Sequence, residues 1–144
     1  MSYKIEHRVG IAAPADRIWA FVADLEGWRE WNPVHPEING RLAIGATLDL
    51  VEQLEGEAPR RLVMTIEDWV PNTQILWKGP RGPLARSLRF IEIEALSDTG
   101  CIFANGEVYD GVLGELAAKR RRRALHKAFR AMGEAVKARV EGPS

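Results

Sequence analysis

The sequence predicts an α+β fold. A curved antiparallel sheet of about seven strands wraps around one long C-terminal helix and leaves an internal cavity. Three observations point there. Residues 111–141, GVLGELAAKRRRRALHKAFRAMGEAVKARVE, repeat apolar side chains at helical spacing (Leu113, Leu116, Ala117, Leu125, Ala128, Phe129, Met132, Val136) with no proline inside. A helix of about 28 residues spans roughly 42 Å, far beyond the usual ~11–12 residues, so it needs an equally long apolar surface. Residues 37–110 read as successive strands and hairpins and supply that surface.

The elements follow in order. Tyr3, Ile5, His7, Val9 and Ile11 alternate with polar residues, the two-residue period of a strand. Pro14 opens a helix, where its missing N–H costs nothing. Ile18, Phe21, Val22 and Leu25 form the apolar stripe of that helix, Trp19 lies on its flank, and Gly27 ends it. Residues 28–33 form a short helical turn stopped by Pro33, because the residue before proline avoids the helical region. Strands are expected at 37–43, 47–55, 60–69, 73–78, 85–96 and 100–110. Turn chemistry separates them at Gly45, Gly56 to Pro59, Pro71-Asn72, Gly79 to Pro83 and Asp98 to Gly100. Gly142-Pro143 stops the last helix. The order is β-α-α-β6-α, without repeats or linkers, in a single domain over residues 1–144.

Composition sets the class. Hydrophobic residues make up 46% of the 144 and charged residues 28%, which disfavours disorder. No run of about 18 apolar residues exists, so a transmembrane helix is not expected. The start, MSYKIEHRVGI, lacks the apolar core of a signal peptide, and the one cysteine, Cys101, forms no internal disulfide. A soluble, cytoplasmic protein is the expectation. The formal net charge of zero hides an asymmetry: residues 112–141 carry nine Lys/Arg against three Glu, the remainder 11 against 17 acidic residues. Helix and sheet therefore attract one another, and a basic face is available to an anion.

Four local patterns in this order resemble the helix-grip superfamily: START-like, Bet v 1-like and polyketide cyclase/dehydrase-like (SRPBCC) domains. Residues 13–19, APADRIW, look like the opening of its first helix. Residues 24–33, DLEGWREWNP, look like its "D…WxxWNP" segment. Trp77-Lys78-Gly79 is similar to its mid-sheet "WxG", and residues 100–111, GCIFANGEVYDG, to its last strand. The likeness covers essentially the whole chain. Two positions depart: Cys101 stands where the family often has Thr, and Asn105 where many relatives have His, so no role resting on that histidine transfers. The superfamily spans lipid and quinone binders, hormone receptors and aromatase/cyclases, so fold alone does not assign an activity.

Alternation puts Cys101, Phe103, Asn105, Glu107 and Tyr109 on one face of the last strand, and the resemblance turns that face toward the cavity. The preceding strand is expected to add Leu88, Phe90 and Glu92. Apolar walls with a few polar groups suit a small-molecule site. Glu107 and Glu92 are the candidate catalytic carboxylates, because a desolvated Glu becomes a proton donor or acceptor near neutrality; the alternative leaves these groups solvated or satisfied. Leu125 lies on the apolar stripe of the long helix. Arg121 falls on that stripe too, where it pairs with a glutamate, binds a ligand carboxylate, or reaches to the edge while its stem packs. The resemblance places Trp28 and Trp31 near the pocket mouth; they and Trp77 are candidate ligand contacts, although tryptophan is equally a packing residue.

The run Lys119 to Arg123 with Lys127 and Arg130 reads as a solvated helix face and not as a nucleic-acid site, since no aromatic residues interleave for stacking. His7, His35, His126 and Cys101 lack ligand spacing, so no metal is expected. No P-loop or GxGxxG occurs, and no cofactor is expected; the prolines at 80 and 83 remove donors a phosphate cradle needs, so residues 79–83 read as a lip over the cavity with Leu84 at its rim. Three functions remain, in this order. The first is binding or transport of a hydrophobic small molecule (lipid, quinone, polyketide or aromatic) without membrane insertion. The second is a cyclase/dehydrase-type enzyme using Glu107 or Glu92. The third is an interaction module or homodimer built on the basic helix face or the Trp28/Trp31 turn.

Overall fold

The computed structural model describes residues 2–79 and 85–142. Strand β1 (Ser2–Ile11) leads into α1 (Ala15–Val22) and a 3-10 helix (Leu25–Glu30). Strands β2 (Ile38–Asn39), β3 (Thr47–Glu52), β4 (Arg60–Val70), β5 (Gln74–Lys78), β6 (Arg86–Ser97) and β7 (Gly100–Asp110) follow, then α2 (Val112–Arg120) and α3 (Arg122–Glu141). Every pairing is antiparallel, and the seven strands lie in the order β1-β7-β6-β5-β4-β3-β2, so β1 closes back beside the last strand. The expected residues 80–83 of the lip, Leu84 and Pro143 lie outside the described residues.

α3 lies across β1 and β7 and buries Leu125, Ala128, Phe129, Met132, Gly133, Val136 and Val140, three or four residues apart, as one stripe. Opposite it, Phe103, Ile91, Ile75, Trp77, Ile66, Met64, Leu48 and Leu50 face the same core, and Ile18, Val22 and Trp28 close it from the side of α1. Large side chains from the sheet, α1 and α3 thus share one core. Two contacts pin the far end of α3: Ala12 N–H donates to Glu141 Oε2 at 2.7 Å, and Lys137 Nζ bridges the Gly10 carbonyl (2.7 Å) and Glu141 Oε2 (2.9 Å).

Four sequence expectations are corrected. The C-terminal helix is not continuous: Arg121 leaves helical geometry at φ −101°, ψ 8°. Bonding continues on both sides, with Arg121 N–H donating to Ala117 O (3.2 Å) and Leu125 N–H to Arg121 O (2.8 Å), so the joint is a kink. Gly114, Ala118, Arg121 and Leu125 would form one inward stripe. A guanidinium cannot enter a core unpartnered, and the bend accompanies its reach to Glu52 and Glu57. The first helix stops at Val22, and Gly27 lies inside the 3-10 helix, its open side against the Asp24 carboxylate. The strand expected at 37–43 shrinks to Ile38–Asn39, because Gly40 turns out of extended geometry at φ +146°.

The facing of β6 is the fourth correction. Its register sets Arg89 opposite Glu107 and Ile91 opposite Asn105, so Ser87, Arg89, Ile91 and Ile93 share the inner face. Leu88, Phe90 and Glu92 are opposite Val108, Gly106 and Ala104 on the outer face. Phe90 is nonetheless buried: it lies over Gly106, where a Cβ would also meet the Ile5 carbonyl and Glu6, and Lys4 Nζ sits 5.2 Å from its ring.

Candidate functional site

An open cleft of about 240 Å³ lies where α2 meets the kink, over β4 to β7. Leu62, Met64, Ala85 and Ala117 give it carbon walls; Arg89, Glu107 and Tyr109 are its polar inner end; Arg60, Arg86 and Arg121 line its sides.

The inner end is built by register. Arg89 on β6 and Glu107 on β7 are cross-strand partners, and Tyr109 follows Glu107 on the same face. Arg89 Nη2 donates to Glu107 Oε1 and to Glu52 Oε2, both at 2.7 Å, while Tyr109 donates to the same Glu107 oxygen at 2.6 Å. Glu52 closes β3 on the buried face of Leu48 and Leu50 and also accepts from Arg60 (3.0 Å) and Arg121 (3.2 Å). Arg121 Nη2 reaches Glu57 as well, at 3.1 Å. His35 completes this cluster. Asn32 Oδ1 fixes its loop by accepting from the backbone N–H groups of Val34 (2.9 Å) and His35 (3.0 Å). His35 Nδ1 donates to Val51 O (3.0 Å), which leaves Nε2 to accept from Arg89 Nη1 at 3.1 Å.

This packing sets the charges. Burial, reinforced by the neighbouring Arg89 cation, lowers His35 to about 3, so the imidazole is neutral. Burial works to raise Glu52, but Arg89, with Arg60 and Arg121, outweighs it and holds the carboxyl at about 2. Burial disfavours the Arg89 cation; Glu107 and Glu52 overcome that and hold it charged well above its ordinary value. Burial and the Glu107 carboxylate push the Tyr109 hydroxyl far up, so it remains a donor.

The structure brings Glu107, Tyr109 and Arg121 together at the cleft. The other sequence candidates lie elsewhere. Phe103 and Leu125 are core residues. Asn105 is buried and ties β7 to α3, its Nδ2 donating to Phe129 O at 2.9 Å. Trp28 is buried, donates to Val22 O (2.9 Å) and stacks on His35 with ring centroids 6.0 Å apart, supporting the site from behind. Trp31 packs on Phe21 at 4.9 Å, and Trp77 meets Trp28 edge-on in the core. Leu88, Phe90 and Glu92 face away from this cleft. Among the described residues no cluster of three or more metal-ligating side chains forms, and no helix is long and apolar enough to cross a membrane.

Sequence reasoning missed Arg89, Glu52 and His35. Two of these carried a signal. In RSLRFIEIEA the set Arg89, Ile91, Ile93, Ala95 stays apolar after Arg89, whereas Leu88 and Phe90 lead into Glu92 and Glu94. The first set is therefore the buried one, and Arg89 sits on it. Glu52 likewise shares its phase with Leu48 and Leu50. His35 has no local pattern that marks it.

A family model described as polyketide cyclase / dehydrase and lipid transport matches residues 2–141. No curated protein matches the chain. Several solved structures share the fold. The Zhui aromatase/cyclase from Streptomyces sp. R1128 superposes with a TM-score of 0.79 at 17% identity, over 98% of this chain and 94% of that one. Norcoclaurine synthase from Thalictrum flavum gives 0.76 at 15% identity, over 100% and 96%. A protein from Thermus thermophilus gives 0.74 at 17% identity, over 96% and 97%.

Proposed function

Because the chain belongs to the polyketide cyclase / dehydrase and lipid transport family, we propose that it binds a small hydrophobic molecule with an acidic or strongly hydrogen-bond-accepting head in the cleft beside α2. One observation carries this reading: carbon walls from Leu62, Met64, Ala85 and Ala117 lead to a polar inner end of Arg89, Glu107 and Tyr109, with Arg60, Arg86 and Arg121 along the sides. Burial of apolar ligand surface supplies affinity, at about 25 cal/mol per Å² before association costs. Arg121 and Arg86 at the sides orient the head by charge-assisted hydrogen bonds. At about 240 Å³ the cleft falls below the ~300–1,000 Å³ usual for drug-sized ligands. The molecule is therefore small, or part of it stays outside. Native mass spectrometry of protein purified from its source cells tests this: an extra mass that disappears on denaturation is expected. The same mass on Ala117→Trp, which fills the cleft, would place the ligand elsewhere.

A cyclase/dehydrase-type reaction is the second reading, favoured by the Glu107 carboxylate and Tyr109 hydroxyl lining the same cleft 2.6 Å apart. Here the cleft holds a reactive carbonyl chain in a folded shape, and Tyr109 or Arg89 polarises an oxygen of it. Glu107→Gln separates the two. A carrier keeps its ligand affinity within a fewfold; an enzyme keeps binding and loses turnover.

A further inference from the structure

The outer surface of α2 is inverted relative to an ordinary packed helix. Its small residues Gly114 and Ala118 are buried, while Val112, Leu113 and Leu116 stand 64%, 54% and 50% exposed. At 100° per residue Val112, Leu116, Arg120 and Leu113 fall in one outward arc, with Lys119 at its edge. At Lys119 and Arg120 the arc meets a shallow furrow lined, among the described residues, by Lys119, Arg120, Arg122, Arg123, Lys127 and Arg130 with His126, and by no acidic one. Lys127 is engaged by Glu55 (2.8 Å) and Lys119 lies over the Tyr3 ring (5.5 Å). Arg120, Arg122, Arg123 and Arg130 have no acidic partner among the described residues. An apolar crest thus adjoins four uncommitted guanidinium groups.

We infer that this crest and furrow dock the protein peripherally on an anionic lipid bilayer, with Val112, Leu113 and Leu116 in the acyl boundary and the arginines on headgroup phosphates. Exposed aliphatic side chains beside a dense cation cluster are what an interfacial surface needs: apolar burial and charge attraction act together, and neither alone suffices. The alternatives fit less well. A second copy would bring the same cations against this face. Nucleic acid would use the furrow and leave the aliphatic crest in water, with no aromatic ring to stack a base. A protein partner's anchor residues seek pockets with apolar walls, and the described residues lining the furrow are cationic side chains and His126. The cleft's Gly114 and Ala117 come from the same helix as the crest, so docking brings the cleft mouth to the lipid.

Vesicle co-sedimentation tests the inference, using the full chain with phosphatidylcholine vesicles containing roughly one-third phosphatidylglycerol, and with pure phosphatidylcholine. Sedimentation with the anionic vesicles only is expected, weakened by about 0.5 M salt. Leu113→Ser with Leu116→Ser, both exposed and so compatible with folding, should lower the partition constant at least about tenfold. Charge reversal at Arg120, Arg122 and Arg123 should abolish binding. Two results overturn the inference. One is wild-type protein that stays in the supernatant at low salt. The other is a Leu113/Leu116 variant that binds as wild type does, which would make the face a polyanion or acidic-protein site. Because crest and furrow lie outside the cleft, vesicle binding and ligand binding succeed or fail separately.

Discussion

Arg89 keeps its charge beneath the sheet with Glu52 and Glu107 each 2.7 Å from Nη2 and a neutral imidazole at Nη1. Removing one member of such a cluster leaves the others buried and uncompensated. Arg89→Met should cost about 3–5 kcal/mol of stability in urea denaturation, and a loss under about 1 kcal/mol would show the carboxylates relaxing into solvent. His35 adds a pH signature. Its folded pKa of about 3 lies below the ordinary 6.5, so the unfolded chain binds the extra proton between those values. Stability contributed by neutral His35 is complete above pH 6.5 and is lost as pH falls toward 3, by roughly 4–5 kcal/mol at the extreme. Glu52, depressed to about 2, adds a loss of the same sign from about 4.5 downward. Urea midpoints of the wild type should therefore decline already between pH 6.5 and 4.5, and His35→Gln should make that portion shallower, leaving the smaller slope from His7, which burial also lowers. An unchanged slope in that variant would assign the decline to another group.

At the scale of elements, legibility depended on whether a pattern had one reading or two. In β7 alternation sorted Phe103, Asn105, Glu107 and Tyr109 onto one face, and the family resemblance turned that face inward, because the opposite phase of Ile102, Ala104, Gly106 and Val108 is the more apolar of the two. β6 has apolar residues in both phases, and Phe90 on the outer side is buried over Gly106, a contact no local pattern encodes. The wrong phase hid Arg89. The helix break escaped for a related reason: Arg121 keeps the helical period, and only its partners Glu52 and Glu57, far away in sequence, explain the bend. Glu57 and Arg121 are partly exposed, so their pair is worth only about 0.3–1 kcal/mol, and a double-mutant cycle on Arg121→Ala and Glu57→Ala should return a coupling in that range. α2 buries only Gly114 and Ala118, whereas α3 buries seven side chains or backbone positions along its stripe. Amide exchange in Val112–Arg120 should accordingly run through local opening and outpace the centre of α3. Equal protection in both helices would mean that the kink does not separate them into independent units.

Across the whole molecule the charge asymmetry has a structural use. The basic C-terminal segment is tied to the acidic remainder by Arg121 to Glu52 and Glu57 and by Lys127 to Glu55, while Arg120, Arg122, Arg123 and Arg130 have no acidic partner among the described residues. Large side chains pack under α3, and the cleft at the kink is a place where a ligand adds contacts without displacing them. That arrangement makes ligand binding visible as stability. A ligand that binds only the folded chain adds about 2.7 kcal/mol at a hundredfold excess over Kd, or roughly 5–15 °C in Tm for a chain of this size. Among medium-chain and bicyclic aromatic carboxylates and their methyl esters, the acids should raise Tm and the esters should do so less, because only the acids complete the charge-assisted bonds to Arg121 and Arg86. Arg121→Gln should narrow the gap between acid and ester, and Ala117→Trp should remove both shifts while leaving the unliganded Tm nearly unchanged, since Ala117 is exposed. Shifts that survive Ala117→Trp would move the ligand out of this cleft. Equal shifts for acid and ester would keep the cleft and dismiss the arginines as the reason for its choice.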